Sequence, residues 1–393
     1  MKKLVWTGCI GIGALIIAGC SSTDNGQKDN ASASASTNVS ANANANTSTN
    51  ANTSANAATE AVSIVDGRGK EVVLKNGYAK NFVLFPNEGT EIFSITQSVE
   101  PFLGMRKGDQ ESNIAGGAVA KQYPEILKVN NNIMQADGSA PNVEGILKLA
   151  PDVVYQWTTH GDGAIKPLED AGVNVVAVNW GTYEDDIERY TLYGKALGKQ
   201  DRVDEVFAHQ AKAKEDVLKV TQNLTEDERQ DHVFVSAIND NQINVWGTEL
   251  PHTPVHKVEN AAFTKGKISD IDADINVETL LKWDPDMIVI GEWAKDITPD
   301  YFFKHPVLKN LRAVKEKRVY KSPTASLLDN PGINWYFYSV LAYPDKFKGF
   351  DMRKQVREDY KLLYNIDLTE EDIDSVLNVA ENKTSKNFDL FMQ

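Results

Sequence analysis

The chain has 393 residues, 41% hydrophobic and 24% charged, the balance of a globular protein long enough for two or three domains with their own cores. Its 41 Lys and Arg stand against 55 Asp and Glu, a formal charge of −14. A nucleic-acid surface, which needs basic groups to release phosphate counterions, is therefore not expected. Two cysteines exclude a disulfide framework and a multi-thiolate zinc or iron–sulfur site.

Lys2 and Lys3 precede an apolar stretch over residues 4–17, shorter than the roughly 20 residues of a membrane span and suited to a secretory signal. It ends Ile17-Ala18-Gly19-Cys20. Small residues before a cysteine resemble the bacterial lipobox, in which the signal is removed and the cysteine lipidated. Segment 1–19 is thus read as a signal peptide and Cys20 as the lipidation site. Cys9 falls in the removed part, and loss of Lys2 and Lys3 takes the charge from −14 to −16. The expected location is the cell envelope, on the outer side of the cytoplasmic membrane. Residues 20–59 are almost entirely Ser, Ala, Asn and Thr. They cannot offset ordering entropy by burial and are expected to form a disordered tether, about 35 Å in root-mean-square span.

Fold reasoning starts near Ala61. In residues 62–75, VSIVDGRGKEVVLK, two β-branched runs flank Asp66-Gly67-Arg68-Gly69, a hairpin signal. Asn81 to Phe85 reads as a strand stopped by Pro86-Asn87, and Glu88 to Gln97 as a helix. Strand, turn and helix open an α/β unit.

Residues 142–154, NVEGILKLAPDVV, recur as NVETLLKWDPDMI at residues 276–288, an offset of 134 throughout. In each copy Asn142 or Asn276 can N-cap a short helix. Glu144 or Glu278 falls in the first turn, where the helix dipole favours a carboxylate, and Pro151 or Pro285 ends the helix. The apolar runs that follow read as buried parallel strands. Two copies this far apart predict two similar α/β lobes rather than a solenoid. Between them, Asp185 to Leu197 and Asp201 to Leu224 predict two helices split by Gly198. The second would be about 35 Å long. Residues 346–393 read as amphipathic helices completing the second lobe, with Asp367 to Asp374 a helix start rather than a calcium loop.

The lipobox, VSIVDGRGKEVVL, NFVLFPNEGTEIFSI, both Asn-Val-Glu…Pro-Asp copies and HPVLKNLRAVKEKRVY at 305–320 together resemble one class of ABC-importer substrate-binding lipoproteins. These class III periplasmic binding proteins serve ferric siderophores, haem and corrinoids. The resemblance implies an α/β fold of two Rossmann-like lobes joined by a single long helix, with a cleft between them. It divides the chain into an N-terminal lobe (60–183), connecting helices including the spine (184–224) and a C-terminal lobe (225–393). It implies a monomer without resident cofactor, whose partners are a metal-chelate ligand, an ABC permease and, through the lipid, the membrane. By position, Glu144 and Glu278 would dock on the permease.

In open α/β lobes ligands sit beyond the carboxyl ends of strands. That rule selects Pro86–Glu88, Trp157–His160, Trp180–Tyr183, Trp246–His256, Glu292–Trp293 and Ser322–Trp335. Trp157, Trp180, Trp246, Trp293 and Trp335 all fall there, and an aromatic cleft suits a large, flat or partly apolar chelate. His160, His252 and His256 are the metal-proximal candidates. The ligand is expected to meet Trp157 or His160 from the first lobe and His252 or His256 from the second. Pro254 weakens a helical His252–His256 pairing, because it fits a helix only by opening its first turn. Whether any side chain binds metal directly is open at this stage. Arg106 could face an anionic ligand. HExxH, GxSxG, P-loop, GxGxxG and CxxC motifs are absent, so no enzyme is expected. The alternatives are a carrier of a corrinoid or of a free metal or oxyanion such as molybdate, and a surface adhesin without transport.

Overall fold

The computed structural model describes residues 60–136, 138, 140–239, 242–247, 253–270, 272–324 and 331–393. The expected signal, Cys20, the tether and His252 lie outside the described residues.

Twelve strands are described: β1 (Val62–Val65), β2 (Glu71–Leu74), β3 (Phe82–Leu84), β4 (Phe102–Met105), β5 (Val153–Trp157), β6 (Val175–Val178), β7 (Gln230–Asn239), β8 (Gln242–Trp246), β9 (Val258–Asn260), β10 (Asp272–Asn276), β11 (Met287–Ile290) and β12 (Val319–Lys321). They form two main sheets. The first is wholly parallel, in the order β4-β3-β5-β6. In the second, β11 joins β7 and β12 in parallel, and β8 and β10 extend the other side antiparallel. β9 takes the first residues of β7 on the same edge as β8. Helices cover both sheets, which is why β5, β6 and β11 are buried along their whole length.

The β1–β2 hairpin docks beside β6. Gly67 N donates to Ala177 O at 2.8 Å, Ala177 N donates to Asp66 Oδ2 at 3.1 Å, and Arg68 bridges Asp66 and Glu169. An edge that would otherwise present free backbone groups is thereby covered.

Each repeat copy builds the same device. Asn142 accepts from Gly145 N at 3.1 Å and Asn276 from Thr279 N at 2.8 Å. Both caps open seven-residue helices, Val143–Leu149 and Val277–Trp283. Each cap stabilises its helix by about 1 kcal/mol. The Asp of each Pro-Asp pair then clasps the start of a neighbouring strand. Asp152 accepts from Asn81 N while its own N–H donates to Asn81 Oδ1. Asp286 and Asp231 exchange the same two bonds. The duplicated Asp is therefore a register lock between β3 and β5 and between β7 and β11.

The helix Tyr183–Leu197 starts on a Thr182–Asp185 capping box and ends at Gly198 in the left-handed region, φ +66°. The spine helix spans Gln200–Thr221, 22 residues and about 33 Å. Its buried face is Val203, Val206, Gln210, Ala213, Val217 and Thr221, a three/four spacing. That face meets the Gly89–Thr96 and Tyr183–Leu197 helices on one side and the Thr253–His256 and Pro331–Ala342 helices on the other. The result is two α/β lobes, one around each main sheet, joined by one long helix.

The C-terminal segment reaches further than the second lobe. Asn382 brackets Lys321 of β12, and Thr324 N donates to Val376 O. The same segment also touches the first lobe: Tyr123 Oη donates to Tyr364 O, Gln97 Nε2 to Leu362 O, and Lys121 meets Asp372 at 2.5 Å. Glu370 opens a helix on a Thr369–Asp372 capping box.

Candidate functional site

A cavity of about 1040 Å³ opens where the carboxyl ends of the two sheets face each other. From the first sheet come Asn87, Glu88 and Thr90 after β3, Arg106 after β4, Trp157 and His160 at the end of β5, and Trp180 after β6. From the second come Trp246 at the end of β8, Glu292, Trp293 and Lys295 after β11, and Thr324 after β12. The segment Ser112–Val119 and the C-terminal residues Tyr360, Tyr364 and Asp372 close the remaining sides. Arg106, Trp157, His160, Trp180, Trp246 and Trp293 are thus brought to one space.

Trp335 and His256 are not among its walls. Trp335 is wholly buried in the Pro331–Ala342 helix, edge-on to Tyr183 at 5.9 Å. Every residue of that helix is buried, as an all-round apolar sequence requires. His256 is also wholly buried, stacked on Tyr338 at 4.7 Å, and its Nδ1 accepts from Val258 N at 3.1 Å. Glu144 and Glu278 are exposed at equivalent positions of the two repeat helices.

The first wall is braced from behind. Trp157 is 8% exposed, and the guanidinium of Arg189 lies over its ring at 5.4 Å. Arg189 is itself fully buried. It donates to both Glu91 oxygens at 2.9–3.1 Å, to Asp186 at 2.8 Å, and to Asn179 O, beside Trp180, at 3.0 Å. One cation thus ties the helix after β3, the end of β5 and the end of β6. Burial pushes the Asp186 carboxyl up to about 7 despite Arg189, and raises Glu91 too. The sequence carried only a faint sign of this hub, the Asp186–Arg189 spacing of three on a helix. Glu91 and Trp157 come from distant segments.

The second wall is a more open aromatic group. Trp246 stacks on Phe234 at 4.8 Å and lies 5.4 Å from Trp293, which is 37% exposed. Glu292 accepts from Ser322 Oγ at 2.9 Å, and burial pushes its carboxyl up to about 7. Among the described residues neither Arg106 nor Lys295 forms an ion pair, although the charge of Arg106 acts on the buried Asp109 carboxyl and carboxylates such as Glu88 and Asp272 line the same space. His160 donates from Nδ1 to Gln156 Oε1 at 2.9 Å. Burial, then the charge of Arg106, holds its pKa below the ordinary imidazole value, so the ring is neutral at pH 7.

Four indole faces, two unpaired cations and a neutral imidazole between two lobes on a common spine define a ligand-capturing binding protein. The chain belongs to the periplasmic binding protein family, whose model matches residues 109–325. It is 25% identical over 298 residues to the ABC transporter substrate-binding lipoprotein YvrC of Bacillus subtilis, covering 73% of this chain and 87% of that one. An iron(3+)-hydroxamate-binding protein of the same organism is 28% identical over 221 residues, 53% of this chain and 67% of that one. A periplasmic solute-binding protein from Veillonella parvula shares the fold with a TM-score of 0.72 at 22% identity, covering 83% and 99% of the two chains. The protein is accordingly a substrate-binding protein of the ABC-importer family, a transport component rather than an enzyme. No described helix is long and apolar enough to cross a membrane.

Proposed function

We propose that this protein captures an iron chelate, a ferric siderophore or haem, and delivers it to its permease while Cys20 holds it to the membrane by lipid. The observation that carries this reading is the cavity: about 1040 Å³, with four tryptophans and the unpaired Arg106 on its walls. Such a volume suits an organic ligand buried over most of its surface, and is far more than a bare metal ion or a four-oxygen anion fills. Indole faces take the flat or apolar parts, and the cations take anionic oxygen. The likeness to an iron(3+)-hydroxamate-binding protein supports the same ligand class. Capture would be by a modest rocking of a 60–183 lobe and a 225–393 lobe about the connecting helices. The protein acts as a monomer, and Glu144 and Glu278, one on each lobe, set the docking register on the permease.

Tryptophan fluorescence, titrated in parallel with ferric siderophores, haemin, cobalamin and molybdate, tests the reading. Saturable sub-micromolar quenching by an iron chelate supports it. Silence toward iron chelates with a response to cobalamin or molybdate moves the assignment to that ligand.

A further inference from the structure

Resting on that reading, we infer that Lys321, which is not itself a wall residue, is the positioning residue of the second wall: its ammonium holds the turn after β11 that carries Trp293 and Lys295 toward the cargo. The turn runs over residues 291–298, between β11 and the helix Pro299–Lys304, and Glu292, Trp293 and Lys295 on it line the cavity. Its own backbone bonds are local. Ala294 N donates to Gly291 O at 3.1 Å and Ile297 N to Ala294 O at 3.0 Å, so they shape the turn without tying its far side to the lobe. β12 supplies that tie. Lys321 Nζ donates to Ala294 O and, at 3.0 Å, to Ile297 O, and the next residue, Ser322, bonds Glu292.

Trp293 depends on this backbone. Its indole lies back over Gly291, where a Cβ would come within 2.9 Å of the ring, and its front leans on Trp246 and Phe234. A turn that shifts carries the indole with it. Packing alone does not explain Lys321, which is 4% exposed: an apolar side chain of similar volume would fill the space without desolvating a charge. Burial lowers the ammonium to about 8, against the charges of Glu292, Glu381 and Asp296, so it stays protonated at pH 7. What the ammonium gains is two charge-assisted bonds to carbonyls of one turn. The base of the side chain is clamped in addition. Lys321 N donates to Asn382 Oδ1 at 2.7 Å and Asn382 Nδ2 to Lys321 O at 2.9 Å, which fixes the point from which the ammonium reaches across.

The test uses the full chain, ferrioxamine B and haemin as probes, and K321M, W293A and K321M/W293A, with W180A and K321M/W180A as the pair on the other wall. Circular dichroism checks folding. K321Q, which keeps a donor for one carbonyl, should fall between wild type and K321M and takes the place of K321M if that variant does not fold. In the free protein, amides 294–297 should exchange at least tenfold faster in K321M, with β11 and β12 unchanged. Affinity for the probe that binds should fall about tenfold in K321M. The double variant with W293A should lose little more than W293A alone, whereas losses with W180A should multiply. Unchanged exchange at the turn overturns the inference. So does faster exchange throughout β11 and β12, which would make Lys321 a prop of the core, and so do losses that multiply with W293A. If neither probe binds the folded wild type, the iron-chelate reading fails, and the exchange result alone decides whether Lys321 holds the turn.

Discussion

The two walls of the cavity obey the same rule and are built differently. On the first, Trp157 is almost fully covered and backed by Arg189, whose guanidinium is held by Glu91, Asp186 and the Asn179 carbonyl. On the second, Trp246 and Trp293 lean on each other and on Phe234, and Trp293 is more than a third exposed. A buried charge network tolerates little displacement, because moving any member leaves a desolvated charge unpaired. An exposed indole adjusts by rotamer. The first wall is therefore a fixed template and the second an adaptable cover, an arrangement suited to closing on ligands of somewhat different outline.

The contrast is broken most severely at Arg189. Arg189→Met leaves Glu91 and Asp186 buried without a counter-charge, and should cost about 3–5 kcal/mol in urea unfolding. Glu91→Gln in the same chain should recover part of that loss. A change below about 1 kcal/mol would deny the network its bracing role.

The tryptophans sharpen the comparison. Trp157→Ala removes a covered ring and should lower stability by roughly 3 kcal/mol as well as weakening the chelate. Trp293→Ala should leave stability within about 1 kcal/mol while weakening binding about tenfold. Equal stability losses in the two variants would erase the distinction between template and cover.

Proton linkage offers a gentler probe. Asp186 and Glu292 titrate near 7 in the fold, and Asp109 near 6, each raised chiefly by burial, whereas the unfolded carboxyls titrate near 4. The folded state thus binds more protons between these values. Stability should fall as pH rises from about 4 to about 7 and level off above. Glu292→Gln should flatten that slope, and an unaltered profile would place the titration elsewhere. The smallest effect on the fold is expected at the exposed repeat glutamates. Reversing Glu144 and Glu278 together to Lys should change stability by no more than about 0.5 kcal/mol and leave chelate affinity intact while abolishing uptake. Lost affinity would place them in the ligand site.

Much of this was legible in the chain because it is written in local chemistry. The Asn caps, the Pro-Asp stops, the hairpin turn and the 3.6-residue stripe of the spine each use residues a few positions apart. The rule that ligands sit beyond strand ends found the segments carrying Trp157, Trp180, Trp246 and Trp293. It fails at Trp335 because that residue lies well beyond β12 in the Pro331–Ala342 helix, whose sequence has no polar face and which is buried on every side. His256 misled for a related reason: spacing from His252 says nothing about burial under the spine. Arg189 under Trp157, and the C-terminal residues Tyr364 and Asp372 against Tyr123 and Lys121, join segments about 30 to 250 positions apart, and one sequence carries no mark of such pairings.

The central claim is that a chelate sits between the two walls and touches both. Hydrogen exchange of the protein with and without a bound ferric chelate tests it most directly. Protection should appear together at Trp157–Gly161 on the first wall and at Glu292–Lys295 on the second, with no change at the helices carrying Glu144 and Glu278. Protection confined to one wall, or found away from both, would contradict the account.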